Sequence, residues 1–198
     1  MLDLHRNIFK GLENGVGKVF SFFPLSPNQW TLLSIVGAIF AAYFLIKQNL
    51  VLAIIFFLFA GFLDFVDGAV ARYKNISTKK GAYLDTICDR YVEGILLFGM
   101  LFLPLPKILF PSFCWVFLIL FGSILTTYAK AAAKEKDLVA QEIKGGFLSR
   151  GERIILLTLS LILGVVNLNW MIYLLILIAA LTNLTTIQRI GAAMKLNR

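Results

Sequence analysis

Six long apolar stretches, separated by short polar segments, occupy most of this chain of 198 residues. A helix of roughly 20 apolar residues crosses the hydrocarbon core of a bilayer, which is about 30 Å thick. Hydrophobic residues make up 59% of the sequence and charged residues only 15%, whereas about a quarter of the residues in a soluble domain are charged. We therefore predict an all-α integral membrane protein with six transmembrane helices in a single domain, residues 1–198. The predicted helices cover residues 30–46, 51–72, 82–103, 108–132, 153–166 and 170–190.

The distribution of basic residues predicts the orientation of these helices. All but two of the 19 Lys and Arg residues lie before the first helix, at the second and fourth connections, beside the start of the third helix or at the end of the chain. The exceptions are Lys47 and Lys107, in the first and third connections. Because basic residues concentrate on the cytoplasmic side, we expect a multi-pass protein of the cell membrane with both termini in the cytoplasm.

The basic residues behind the net charge of +8 are therefore expected around the cytoplasmic ends of the helices. This positively charged surface would attract anionic membrane lipids or phosphorylated substrates. Nucleic acid is not expected as a partner, because the basic residues flank membrane helices and do not cover a soluble domain.

Residues 1–29 are predicted to form a juxtamembrane segment ahead of a six-helix bundle at residues 30–190. Charged residues interrupt the segment, so it lacks the apolar core of a signal peptide. Its apolar residues recur at about one helical turn, which predicts an amphipathic helix in the membrane interface that Pro24 and Pro27 end. The recurring residues are Leu2, Leu4, Ile8, Phe9, Leu12 and Val16.

Four carboxylates lie inside the second and third predicted helices. Asp64 and Asp67 are three residues apart, and Asp85 and Asp89 are four apart, so each pair shares a helix face over about one turn. The two helices are antiparallel, which places both pairs near their cytoplasmic ends at similar depth. An ionisable group at membrane depth costs at least roughly 2.5 kcal/mol on insertion scales and normally marks a functional cavity.

Four facing carboxylates repel one another unless cations lie between them. Mg²⁺ and Mn²⁺ take oxygen ligands, and two such ions about 3.5–4 Å apart suit a displacement at phosphorus. Zinc is not expected, because His5 is the sole histidine and is assigned no role, and because Cys88 and Cys114 are isolated. Cys88 is interpreted as a small packing residue.

Residues beside the carboxylates also point to a ligand. Gly68 and Gly81 leave room for a ligand to approach the backbone, and Arg72 could complement a phosphate. The alternative is that the acids are ordinary helix-end residues neutralised by nearby Lys and Arg. Four acids at matched spacings, together with two glycines and an arginine, favour the functional interpretation.

The pattern Asp-Gly-x2-Ala-Arg-x8-Gly-x3-Asp-x3-Asp runs from Asp67 to Asp89. It resembles the signature of the CDP-alcohol phosphotransferases, integral membrane enzymes of phospholipid synthesis. Asp64 matches a further upstream aspartate of that family, and the six-helix plan is similar too. The resemblance implies displacement at the β-phosphorus of a CDP-linked lipid donor with release of CMP, and it implies a homodimer.

The resemblance also implies a role for each matched residue. Asp89 would contact metal and act as the general base on the acceptor hydroxyl. The implied metal ligands are Asp64, Asp67, Asp85 and Asp89. The residues implied to line the CDP site are Gly68, Ala71, Arg72 and Gly81.

Basic residues around the fourth connection suggest a phosphorylated alcohol as acceptor. Arg150 and Arg153 are three apart at a helix start, where they could hold one phosphate together with the helix amino terminus. Lys130, at the other end of the fourth connection, is expected to flank the same cavity. The alternative is that they are ordinary cytoplasmic charges. The stretch resembles the subgroup that uses inositol phosphate, the phosphatidylinositol-phosphate and archaetidylinositol-phosphate synthases. A phosphatidylglycerol-phosphate synthase using glycerol 3-phosphate, or another enzyme of the family, stays open.

A small cation carrier is the alternative outside enzymes. Carriers also place carboxylates inside membrane helices, and six helices could form one. Carriers usually break their helices or repeat their halves, and this sequence shows neither feature. The sequence therefore favours the enzyme, and it leaves open the lipid tails and the preferred metal.

Overall fold

The computed structural model describes residues 6–139 and 146–196, with the backbone alone for residues 6–10 and 196. The described residues form seven helices, and the all-α prediction is confirmed. The helices are α1 (Arg6–Phe20), α2 (Pro27–Ile46), α3 (Leu50–Tyr73), α4 (Lys79–Met100), α5 (Ser112–Glu135), α6 (Arg150–Val166) and α7 (Leu168–Leu196). The predictions made for Leu2, Leu4 and His5 lie outside the described residues.

Polar side chains next to the helix starts fix where several helices begin. Asn49 accepts from the Leu52 N–H at 3.1 Å ahead of α3, and Thr78 accepts from the Gly81 N–H at 3.0 Å ahead of α4. At α6, Ser149 and Glu152 form a reciprocal capping box. Each contact satisfies an N–H group that has no partner within its own helix.

Four of the described helices are long and apolar enough to cross a membrane. They correspond to the first, second, fourth and sixth predicted helices. α4 is long enough, at 22 residues, but carries six charged residues, and α6 has only 17 residues. Pro111 lies immediately before α5, so that helix begins at Ser112 and not near residue 108. The spans are Pro27–Ile46, Leu50–Tyr73, Ser112–Glu135 and Leu168–Lys195.

One compact unit comprises the described residues up to 41 and residues 55–96. Its core is formed by Trp30 of α2 and by Leu63, Val66 and Val70 of α3. Apolar residues of α1 and of the segment after it pack against that core, namely Val16, Phe20 and Leu25. α1 is therefore anchored on α3 by ordinary apolar packing.

The other unit comprises residues 42–54 and the described residues from 97 onward. Within it α5 and α7 pack closely at Gly122, where a Cβ atom would lie 3.0 Å from both Thr182 and Asn183 side chains. The interior here is polar: the Thr126 and Thr186 hydroxyls are 2.6 Å apart. The Asn183 amide donates to the Leu118 carbonyl at 3.0 Å. Hydrogen bonds thus add to packing between these two helices.

Candidate active site

The connection between α3 and α4 brings two helix ends together. Two residues after the end of α3, Asn75 is in the left-handed region at a φ of 55°. The Ile76 N–H donates back to the Ala71 carbonyl at 3.0 Å, and Thr78 caps α4 shortly afterwards. This tight reversal places the acidic residues of α3 beside those of α4.

Three of the four predicted metal ligands form a cluster. Asp64, Asp67 and Asp85 each contribute a carboxylate oxygen, and these oxygens lie within 4.8 Å of one another. Asp67 is buried and the other two are half-buried. Asp89 lies one turn beyond Asp85 and is buried as well, but its carboxylate is not among the three clustered groups. The donor set is all carboxylate oxygen, which fits a hard divalent cation and not a soft one.

Thr31 contacts this cluster from α2. Its hydroxyl donates to Asp67 Oδ2, and the Thr31 side chain is itself buried. One carboxylate oxygen of Asp67 is therefore held from a third helix. The sequence contained no signal for this contact, because a threonine near the start of an apolar helix has no diagnostic spacing to the aspartates.

A cavity of about 330 Å³ lies beside the cluster. All four residues implied for the CDP site line it, and so do two of the clustered aspartates. The side chains missed at the sequence level are mostly small and polar, and two of them, Ser26 and Asn28, lie at the start of α2. The cavity is lined by Ser26, Pro27, Asn28, Thr31, Asp67, Gly68, Ala71, Arg72, Ile76, Ser77, Thr78, Gly81, Ala82 and Asp85.

The two glycines of the signature each lie against a polar side chain of this cavity. A Cβ atom on Gly68 would be 2.8 Å from Arg72 Nη2. On Gly81 it would be 3.2 Å from Thr78 Oγ1 and 3.3 Å from Asn28 Oδ1. The glycines therefore leave room for polar groups at the cavity wall.

α4 carries a further acidic residue that was not predicted as a site residue. Glu93 is buried and its carboxylate lies 3.2 Å from Arg90 Nη1. Asp85, Asp89 and Glu93 follow one another at intervals of four residues, so they share one face of α4. This repeat is the signal by which the sequence could have identified Glu93.

The residues predicted for the acceptor phosphate belong to the second unit. Lys130 on α5 and Arg150 on α6 are half-buried. Arg153 is buried, with 1% of its surface exposed, and its Nη2 donates to Ser123 Oγ of α5 at 2.9 Å. Arg150 and Arg153 lie in the first turn of α6, as the sequence predicts.

Arg189 on α7 is a cation of this region that the sequence interpretation did not select. Its Nη1 donates to the Thr126 carbonyl of α5 at 3.0 Å. Thr126 lies three residues beyond Ser123, the partner of Arg153. Two arginines from different helices therefore reach adjacent turns of α5. The sequence had assigned Arg189 to the basic residues at the end of the chain.

Comparisons with known proteins show which proteins this chain resembles. Residues 24–188 match the sequence profile of the CDP-alcohol phosphatidyltransferases. The chain is 32% identical over 182 residues to the archaetidylinositol phosphate synthase of Pyrococcus horikoshii, covering 91% of this chain and 89% of that protein. It is 33% identical over 164 residues to the phosphatidylinositol phosphate synthase of Corynebacterium glutamicum, covering 78% and 71%.

Solved structures of the phosphatidylinositol phosphate synthase of Mycobacterium tuberculosis share the fold. The structure with CDP-DAG bound matches with a TM-score of 0.79 at 23% identity, covering 91% of this chain and 92% of that one. The complex with manganese and citrate matches with a TM-score of 0.80 at 24% identity, covering 92% and 88%.

The family match distinguishes the two classes of protein that intramembrane carboxylates allow. It extends over residues 24–188 and so includes every residue of the aspartate signature. A cation carrier requires no such signature. The chain is therefore an enzyme and belongs to the CDP-alcohol phosphatidyltransferase family.

Proposed function

We propose that this enzyme transfers the phosphatidyl-type group of a CDP-linked lipid to inositol phosphate and releases CMP. The observation that carries the proposal is that Asp67, Gly68, Ala71, Arg72, Gly81 and Asp85 line the same cavity. The choice of acceptor is supported by the relatives named above, which are synthases of inositol-phosphate lipids. Glycerol 3-phosphate is the acceptor that the test must exclude.

Gly68, Ala71, Arg72 and Gly81 line the CDP-binding part of this cavity in the proposal. The small residues let the nucleotide approach the helix backbone. Arg72 supplies the positive charge, since a guanidinium group donates to two phosphate oxygens at once.

Asp64, Asp67 and Asp85 hold divalent metal in the proposal, with Asp89 as a further ligand. Their oxygen donor set suits Mg²⁺ or Mn²⁺, and two ions are expected. When bound, the metal supplies positive charge that stabilises the diphosphate and the leaving CMP.

Asp89 acts as the general base in the proposal. It removes the proton of the acceptor hydroxyl, whose oxygen then forms a bond to the β-phosphorus of the donor. The bond from that phosphorus to the bridging oxygen of the diphosphate breaks, and the bridging oxygen leaves with CMP. The burial of Asp89 suits this role, because few water molecules compete for the carboxylate.

Lys130, Arg150 and Arg153 bind the phosphate of the acceptor in the proposal. Ser123 holds Arg153 in a defined orientation, which lowers the entropy lost on binding an anion. Arg189 reaches the next turn of α5 and is included as a fourth candidate. The buried position of Arg153 supports a specific role over an ordinary surface charge.

All six predicted helices cross the membrane in the proposal, α4 and α6 included. On α4, the exposed apolar side chains form one face, and the buried acids Asp89 and Glu93 lie on another face. The exposed residues are Tyr83, Ile87, Tyr91 and Phe98. An exposed apolar stripe also runs along α6 from its second turn to its end, through Ile155, Leu159, Ile162 and Val166. Such faces fit lipid contact, and 17 residues reach the lower limit for a span.

α1 lies in the membrane interface in the proposal, with both termini and the active site on the cytoplasmic side. Leu12 and Val19 of α1 and the adjacent Phe22 are largely exposed, which suits contact with acyl chains. The homodimer implied by the family resemblance stays a prediction.

The first test is an acceptor assay with purified protein and a CDP-linked lipid. In Mg²⁺ or Mn²⁺ we expect CMP release with inositol phosphate and little with glycerol 3-phosphate, serine or inositol. Asp89→Asn should lose turnover by about a hundredfold or more while still binding the donor. Activity with glycerol 3-phosphate alone would reassign the acceptor, and no CMP with any alcohol would reject the function.

Thr31 provides a test of the metal site. Thr31→Val removes the hydroxyl that orients Asp67, so Mn²⁺ affinity measured by calorimetry without substrate should fall by about tenfold, as for other partners of metal ligands. Thr31→Ser keeps the hydroxyl and should bind Mn²⁺ like the wild type. Equal affinity in all three proteins would show that the contact does not serve metal.

The acceptor arginines are tested by steady-state kinetics. Arg153→Lys keeps the positive charge but removes the planar guanidinium donors. Arg150→Ala changes a residue that is only half-buried, so it disturbs the core less. Each should raise the Michaelis constant for inositol phosphate by roughly tenfold or more, because a charged hydrogen bond contributes about 1.5–3 kcal/mol. The Michaelis constant for the CDP-lipid should hardly change. Parallel losses for both substrates would assign the arginines to the fold instead.

The topology is tested by cysteine labelling in a variant with Cys88 and Cys114 replaced by alanine. Cysteines at Lys79 and Lys136 should react with an impermeant thiol reagent from the cytoplasmic side only. A cysteine at Lys107 should react only from the other side. Labelling of positions 79 and 107 from the same face would contradict six crossings.

A further inference from the structure

α1 approaches α3 closely at one glycine. A Cβ atom on Gly17 would lie 2.6 Å from the Ala69 carbonyl oxygen and 2.8 Å from Tyr73 Cβ. Both distances are shorter than real Cβ contacts, and Ala69 offers rigid backbone that cannot move aside. Gly17 therefore sets the separation of the two helices, and any larger residue must push α1 outward.

An ion pair lies one turn from this contact. Glu13 precedes Gly17 by four residues on α1, and Arg72 follows Ala69 by three residues on α3, so each pair shares a helix face. The Glu13 carboxylate forms an ion pair with Arg72 Nε. The Glu13 side chain is 20% exposed and that of Arg72 58% exposed. Glu13 is thus the more buried partner of the pair.

The rest of the Arg72 guanidinium lies at the cavity wall. Its Nη2 and Nη1 atoms are 2.8 and 3.3 Å from the position that a Cβ atom on Gly68 would take, and Gly68 lines the cavity. A guanidinium group is planar and presents its N–H donors in a fixed arrangement. Fixing Nε on Glu13 therefore fixes the plane in which Nη1 and Nη2 present their protons.

We propose that Glu13 is a positioning residue for the CDP-linked donor: it holds the Arg72 guanidinium so that Nη1 and Nη2 face the donor's diphosphate. The proposal rests on the function given above, in which this cavity binds a CDP-linked lipid. Through this pair, α1 becomes part of the donor site in addition to lying on the membrane. An ion pair this exposed contributes little to folding stability, so its effect is on orientation.

The test is calorimetric binding of CDP to the purified full-length protein in detergent with Mn²⁺. Glu13→Gln should weaken CDP binding by about tenfold, as loss of an orienting partner typically does. Gly17→Ala keeps both charged groups but displaces α1, and it should weaken CDP binding as well. Glu135→Gln is the matched control, because Glu135 forms an exposed pair with Lys136 at 3.3 Å; it should bind CDP like the wild type.

Two further measurements separate positioning from general damage. Mn²⁺ binding without nucleotide should be the same in Glu13→Gln and the wild type. Glu13→Gln combined with Arg72→Ala should bind CDP no more weakly than Arg72→Ala alone, because Glu13 acts through Arg72.

Three outcomes would overturn the inference. The first is Glu13→Gln binding CDP as tightly as the wild type, or more tightly, which would mean that the acid competes with phosphate for Arg72. The second is that Glu13→Gln weakens Mn²⁺ binding as much as CDP binding. The third is that the fold-losses of CDP affinity in Glu13→Gln and Arg72→Ala multiply in the double variant. A wild type that binds no CDP would reject the proposed function itself and the inference with it.

Discussion

Like-charged carboxylates held close together in a membrane protein are the constraint on which the rest of this structure depends. Asp64, Asp67 and Asp85 have carboxylate oxygens within 4.8 Å of one another, so their negative charges repel one another when all three are ionised. The helices hold them there through the tight turn at Asn75 and the Thr78 cap. Thr31 restrains Asp67 from α2. A divalent cation bound between the oxygens would offset the electrostatic repulsion of the carboxylates.

The cavity beside the carboxylates combines rigid backbone walls with one positively charged side chain. Its walls come from helix ends with small residues, which leave space, while Arg72 is the cation among its lining residues. The position of that cation depends on α1, through Glu13 and the close contact at Gly17. In the proposal, α1 in this way affects the binding of the CDP-linked donor.

The sequence predicted those parts of the structure that depend on period and spacing. The apolar stretches predicted where helices form. The one-turn spacing of the aspartates predicted that Asp64, Asp67 and Asp85 lie close together. Contacts between helices distant in sequence were not predictable: Thr31 with Asp67, Arg72 with Glu13, and Arg153 with Ser123. Such partners are chosen by packing geometry, and no spacing rule identifies them. Glu93 was a different case, since it continues the four-residue repeat of Asp85 and Asp89.

The most direct measurement of the central claim is an anomalous difference map at the manganese absorption edge, from crystals grown with Mn²⁺. We expect strong density among the carboxylates of Asp64, Asp67 and Asp85, and its loss in an Asp67→Asn variant that keeps the fold. Density at other residues, or none at saturating Mn²⁺, would contradict a metal-dependent phosphotransfer site at this cluster.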